Sequence, residues 1–538
     1  MTVMLIFYTS QLLGWGVTAV PVTFAVVLVF CLTVVTTDYI DGWRKRRAFG
    51  DIPIVDEGSN MSVRLRWNNP EFVAEREYAK AYKQYSKTGK PYVTRVQSND
   101  YGIVLPLNSA KEWRALPHDQ LSFGHGLAKM ADMCMHLNVT DRTPVQALHL
   151  CNNARSLGRF NDLVASATDR VLPLTFGRAT EQIEFKELNV YKVISSLCSA
   201  VAMSILLGPD FCMDAPLIQT ALMYHDSIMP SCYERAGYPQ ILRPFVWRFS
   251  PICRALRSHL SALKMKLIPE VKHRIEMVRL ARGGVERDST QSLLDALIET
   301  AFEKGSLSRS EQSTDDGAQV GLIVEQAIMF HFELCKPISF FLCFMLYVVM
   351  DHKEYVVPLR EEASRTLRTS GGHWSLDCLK NAPKLESFAR ETFRLYDISA
   401  LTSFRRVMKP VHLKSINMFL KPGTLVLSPC RDVHLDPDHY DNPTIFYGYR
   451  FYDAIRESCN PHMTTTSLTF LSFSHGSTAC PARVIASQMS RTLFMKILLK
   501  YDMELTHEKM PAYGFTHGPV YVPNLSIMMR VKPRSNDA

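Results

Sequence analysis

The residues best suited to chemistry lie near the C-terminus, in Phe473-Ser474-His475-Gly476-Ser477-Thr478-Ala479-Cys480-Pro481-Ala482-Arg483. An apolar helix is expected to begin just past Cys480. Its unpaired N–H groups and positive dipole end then bear on that thiol and favour the thiolate, the form in which sulfur ligates a metal. Two further signals precede this run in a fixed order. Glu391-Thr392-Phe393-Arg394 sets a carboxylate and a guanidinium three residues apart on one helix face, where they can join a single network. By itself that spacing is common on solvated helices. Phe446-Tyr447-Gly448-Tyr449-Arg450-Phe451, preceded by His434 and Asp436-Pro437, carries an Arg between aromatic residues, able to complete a buried pairing with Glu391 and Arg394.

These groups need a large, mostly helical frame to hold them. Apolar residues recur at helical spacing up to about residue 305, clearly so over Tyr191 to Leu207 and Arg254 to Arg279. Gly305 to Gln319 is polar, rich in Ser, Asp and Gly, and reads as an exposed loop. Gly321 to Met350 is long and apolar enough for a second membrane span. It also carries Glu325, His331, Glu333 and Lys336, which are expensive in lipid, so a buried central helix is expected. Ala382 to Tyr396 is another helix, and Ser403 to Leu427 alternates like strand about the Lys421-Pro422-Gly423 turn. The body after the N-terminal segment reads as one mainly α domain with a small β portion.

Met1 to Thr37 contains no charged residue, and about Leu12 to Val35 suffices to cross a hydrocarbon core of ~30 Å at ~1.5 Å per residue. Trp43 and the cluster Arg44, Lys45, Arg46, Arg47 follow, which places the rest of the chain in the cytosol. A cleaved signal would have a basic start and a shorter apolar run; neither is present. Residues 1–37 are read as a retained anchor, 38–60 as a basic stop-transfer and hinge that includes Asp51-Ile52-Pro53-Ile54-Val55, and 61–538 as the catalytic domain. The sequons at Asn60, Asn138 and Asn524 would then face the cytosol and stay unmodified.

The 538 residues carry a formal charge of +9 spread along the chain, with no nucleic-acid arm or motif. An odd count of 13 cysteines without a CxxC pair fits a reduced compartment, where most thiols serve as small core hydrophobes.

Together the three C-terminal signals resemble the ExxR element, the Arg-containing loop and the FxxGxxxC ligand loop of the cytochrome P450 family, in its microsomal and fungal secondary-metabolism forms. The anchor, the hinge, the long central helix and Asp351 to Glu362 resemble that family as well, so the likeness spans most of the chain. It implies the P450 fold behind one transmembrane helix, and a haem whose iron is ligated by Cys480. Gly476 would permit the turn that aims the sulfur, and Phe473 would keep water from it. Thiolate donation pushes electron density toward iron-bound oxygen and favours O–O cleavage. Glu391, Arg394 and Arg450 would form a structural triad behind the haem. The resemblance further implies a monooxygenase on the endoplasmic reticulum membrane, catalytic domain in the cytosol. Electrons would come from NADPH through a separate reductase, since no flavin or dinucleotide motif is present, and the substrate would be a lipophilic small molecule. About Pro106 to Asp226 and the loop near Leu401 would line its pocket.

Three departures stand out. Ala482 replaces a usual Gly. Thr478 stands where a cation often meets a haem propionate, a duty left to Arg405 or Arg406. Counting back from Asp351-His352-Lys353-Glu354-Tyr355, the family's proton-relaying acid–alcohol pair falls near Lys336 and Pro337, which cannot serve; Ser339 could be the alcohol instead. Pro337 would also remove a helix hydrogen bond and kink the backbone. Ordinary hydroxylation with protons delivered by water remains open. So does an oxidation ending in rearrangement, such as ring expansion or desaturation of a polyketide–peptide. A haem-binding protein without catalysis is the third reading.

Overall fold

A computed structural model describes residues 19–55, 74–97, 100–131, 143–178, 184–238, 240–281, 292–307 and 316–534. Helices make up most of it. The apolar runs expected to be helical are so: Val190–Leu207, Pro251–Ala281, Asp316–Asp351 and Pro383–Leu395. The central helix, Asp316–Asp351, packs against Val190–Leu207, Pro251–Ala281 and the late helix Arg483–Lys500. Its residues from Phe341 to Met350 are almost all inaccessible, which makes it the spine of the main core.

The expected loop from Gly305 to Gln319 ends earlier than its composition suggests. Helix has begun by Asp316. Residues 308–315 of that stretch lie outside the described residues.

The β portion is small and sits to one side. A five-stranded sheet runs in the order Tyr92–Gln97, Asp100–Val104, Leu425–Pro429, Leu401–Val407, Leu121–Ser122. The expected strand region thus becomes Leu401–Val407 and Leu425–Pro429, antiparallel to each other, with the hairpin Val411–Leu413 and Met418–Leu420 between them. Gly423 closes this turn at φ +86°, a conformation that suits glycine. A three-stranded sheet joins Tyr501–Leu505, Met528–Pro533 and Lys186–Asn189. The hinge residues extend along the first sheet: Val55 N donates to Val93 O at 2.9 Å, and Val93 N to Pro53 O at 2.8 Å.

Of the anchor segment, residues 1–18 lie outside the described part. Ala19–Ala48 is one helix that runs on through the basic cluster. Phe24, Leu28, Val29, Leu32 and Val35 are exposed on it. Two internal helices, Val190–Leu207 and Gly317–Asp351, are long and apolar enough to cross a membrane, but 78% of each apolar stretch is buried inside the fold. They are core helices.

Candidate active site

The Glu391 helix carries the first part of the site. Arg394 donates from Nε to Glu391 Oε2 and from Nη2 to Oε1, both at 2.8 Å, a forked pairing on two side chains without exposed surface. Arg450 adds a third bond, Nε to Glu391 Oε1 at 2.9 Å. Further guanidinium hydrogens go to carbonyls: Arg394 Nη1 donates to His434 O and Pro443 O, and Arg450 to Asp441 O and Ile445 O. Gly448 lets this loop approach the helix. A Cβ there would lie 2.7 Å from the Tyr355 ring, whose hydroxyl accepts from Gly448 N at 3.0 Å. The three residues drawn together from sequence spacing do meet.

His434 joins this cluster to the cysteine loop. Leu471 N donates to His434 Nε2 at 2.8 Å, so Nδ1 carries the hydrogen and donates to Arg394 O at 3.1 Å. Both ring nitrogens are committed. The nearby Asp397, Cys430 and His434 therefore leave no free imidazole nitrogen for an ion, though their donor atoms lie close together.

The loop itself is tightly determined. Cys480 N donates to Phe473 O at 2.8 Å, and Gly476 turns the chain at φ +79°. Ser474, at φ +58°, shares a 2.8 Å hydroxyl contact with Ser403. Phe473 packs on Phe393 with centroids 4.9 Å apart, and Phe393 on Phe341 at 4.5 Å, which stacks loop, Glu391 helix and central helix in series. Ala482 sits at φ −89°, ψ 6°, where a methyl is unstrained, so the usual Gly is not required. Helix follows from Arg483. Burial raises the Cys480 thiol to about 11; the N–H groups of Ala482 and Arg483 pull it down and the Glu333 carboxylate pushes it up.

Glu333 was not singled out by sequence spacing. Glu333 has substantial accessible surface, yet lies so deep that burial alone raises its carboxyl to about 7. Cys480 likewise retains accessible surface at depth. Accessible surface at such depth marks interior space beside each side chain.

Lys336 and Pro337, the positions reached by counting back from Asp351, are arranged otherwise. Lys336 donates to Tyr191 OH and Asp226 Oδ1, turned toward neighbouring helices. Ser339 donates back to Cys335 O at 2.6 Å and has no exposed surface, so it is not an alcohol facing such space. Helix continues through Pro337; what proline removes is the N–H that would bond the Glu333 carbonyl one turn earlier.

A second cluster is cationic. Arg405 is buried, donates among the described residues only to its own neighbour's carbonyl, Phe404 O, and lies over the Phe123 ring. Arg406, next along the strand, projects to the other face. Arg114, on the short helix Ala110–Arg114, was not singled out by sequence. It is 3% exposed, donates from Nη2 to Ser428 Oγ at 3.0 Å, and leaves buried Nε and Nη1 without partners. Burial lowers both guanidiniums to about 10, and for Arg405 the nearby Arg114 adds to it. The Arg114 carbonyl accepts from Ser477 Oγ at 2.9 Å, which ties this cation to the cysteine loop.

Comparison with known proteins decides the family. The model described as Cytochrome P450 matches residues 149–528. The chain belongs to the cytochrome P450 family. A cytochrome P450 monooxygenase of Aspergillus flavus, afvE, is 61% identical over 477 residues, covering 89% of this chain and 99% of that protein. The bicoumarin synthase ktnC of Aspergillus niger is 54% identical, with 76% and 97% covered, and the bicoumarin synthase desC of Aspergillus desertorum 45% identical, with 93% and 94% covered. Among solved structures, retinoic acid-bound cyanobacterial CYP120A1 superposes with a TM-score of 0.64 at 15% identity, over 90% of this chain and 99% of that one; this bears on the fold. This P450 is a monooxygenase by its homologues, which are fungal enzymes of secondary metabolism, and a non-catalytic haem carrier is set aside.

The family uses haem iron, and the residues present fit it. A buried thiol at the mouth of a helix gives a soft donor, and a metal ion beside it would deprotonate it outright against the burial that otherwise keeps it neutral. The buried Arg114 guanidinium, whose Nε and Nη1 lack partners beside that loop, together with the neighbouring Arg405, suits the two carboxylates of a porphyrin.

Proposed function

We propose that this P450 couples two phenolic aromatic molecules oxidatively, carbon to carbon, as part of secondary-metabolite biosynthesis. The observation that carries this reading is the likeness, over nearly their whole length, to two proteins named bicoumarin synthases. The balance is two ArH, one O2, NADPH and a proton giving Ar–Ar, two waters and NADP+. Electrons pass from NADPH through a separate reductase.

Cys480 is the proposed thiolate ligand, and when bound the haem supplies oxidising power drawn from dioxygen. The chain's own residues do the rest. Phe473, nearly inaccessible, covers the approach to the sulfur. Arg114 and Arg405 would receive the porphyrin carboxylates, so that no cation is needed at Thr478. Glu391, Arg394 and Arg450 keep the loop's foundation rigid.

The test is product mass. With reductase, NADPH and oxygen, a monomeric hydroxycoumarin is expected to yield a product of twice its mass less two hydrogens. A product equal to the monomer plus one oxygen, alone, would count against coupling and for ordinary hydroxylation.

The helix Ala19–Ala48, with its exposed apolar side chains and terminal basic cluster, is proposed as the membrane anchor, the catalytic body lying on the cytosolic face of the endoplasmic reticulum. Removing residues 1–48 is expected to shift most of the protein from the membrane pellet to the supernatant. Continued sedimentation with membranes would contradict a sole N-terminal anchor.

A further inference from the structure

Two serines at the cysteine loop hold a backbone that favours glycine. Ser403 has φ +59° and Ser474 φ +58°, where the Cβ of an L residue crowds the next carbonyl oxygen and glycine meets no such cost. In the strand Leu401–Val407, pairing with Leu425–Pro429 passes from Thr402 and Ser428 to Arg405 and Val426. Ser403 and Phe404 therefore stand opposite Leu427 alone, in a bulge whose left-handed place commonly goes to glycine. Ser474 turns the loop, its N–H donating to Leu471 O at 2.7 Å. The two hydroxyls lie 2.8 Å apart, and Ser403 is buried. Glycine would ease the chain at both positions and delete that contact.

Strain held at both ends of one hydrogen bond implies a use for the bond. It joins two bodies that bear different attachments for a porphyrin: Ser474 lies in the loop of Cys480, and Ser403 in the strand of Arg405. Two further hydroxyls close a circuit through the short helix Ala110–Arg114. Ser477 Oγ donates to Arg114 O at 2.9 Å, and Arg114 Nη2 donates to Ser428 Oγ at 3.0 Å. Ser428 is the strand partner of Thr402, one residue before Ser403. Loop, strand pair and short helix are thus tied in a ring by serine hydroxyls.

We propose that Ser403 and Ser474 are positioning residues for the haem, their hydroxyl contact fixing the spacing between the thiolate loop and the strand that bears Arg405. The assignment rests on Cys480 being the iron ligand. A porphyrin is a rigid plate, held through its metal at the centre and through carboxylates at its rim. A loop and a strand free to drift apart satisfy one attachment at the expense of the other. Bodies already set at the right spacing meet both without a further cost of ordering. The two serines act through Cys480 and Arg405.

The experiment uses the full-length holoenzyme carrying Ser474→Gly, Ser403→Gly or both. Glycine suits each backbone, so a changed property reports the lost hydroxyls and not a distorted chain. Two readouts need no turnover: the rate at which haem passes to excess apomyoglobin, and the persistence of the red-shifted Soret band that marks thiolate ligation in the reduced carbonyl adduct. Either single variant is expected to release haem about 3–10-fold faster than wild type, the scale of one hydrogen bond, and to lose the band sooner. The double variant should be no worse than the single ones, because both changes delete the same contact. In an Arg405→Gln background the glycine changes should add little, since the strand then has no attachment to keep in place. A merely structural bond would keep its full effect there. Release rates and band persistence equal to wild type in both single variants would overturn the proposal. So would effects that multiply in the double variant, or that persist undiminished without Arg405. A wild type lacking the red-shifted band would remove the Cys480 assignment, and the proposal with it.

Discussion

Cys480→Ser is expected to abolish turnover and the red-shifted Soret band of the reduced carbonyl adduct, which is the signature of thiolate ligation. A serine hydroxyl does not ionise at neutral pH, and its hard oxygen donates less electron density than sulfur. The backbone bond from residue 480 N to Phe473 O does not depend on the side chain, so the loop should keep its shape. Far-ultraviolet circular dichroism should therefore match wild type. Retention of the thiolate-type band together with turnover would require another sulfur ligand. That result would remove Cys480 from the centre of the account.

Glu391→Ala carries the second large expected effect, on folding rather than chemistry. It strands Arg394, which is 0% exposed, and removes the main anionic partner of Arg450. An uncompensated buried charge costs about 3–5 kcal/mol, against a total stability of about 5–15 kcal/mol for a typical domain. Haem-free or insoluble protein is the expected product, measured as haem-to-protein ratio and thermal midpoint. Arg450→Lys should be milder, since residue 450 is partly solvated and the Glu391–Arg394 fork survives. A Glu391→Ala protein with wild-type midpoint and haem content would show that the cluster is dispensable.

How much of this could be read in the sequence follows from how local each signal is. Glu391 and Arg394 are three residues apart, and the cysteine loop is contiguous, so their chemistry was visible from spacing. The same holds for the central helix, whose charges argued for burial in protein over lipid. The distal side was harder to place. Counting back from Asp351 led to Lys336 and Pro337, whereas the carboxylate that bears on the Cys480 thiol is Glu333. Residues a turn apart on an apolar helix look alike until the helices that pack on it are known. Here Tyr191 and Asp226, remote in sequence, claim Lys336. Arg114 was missed for a related reason. Its bond with Ser477 joins positions 363 residues apart, and nothing near Arg114 marks it as buried. Between Arg405 and Arg406 sequence offered no choice, and strand alternation made it.

Labelled dioxygen tests the central claim most directly. With 18O2, reductase, NADPH and a hydroxycoumarin, the account predicts a coupled product that carries no 18O, all label leaving as water. An organic product bearing one 18O atom per turnover would contradict it.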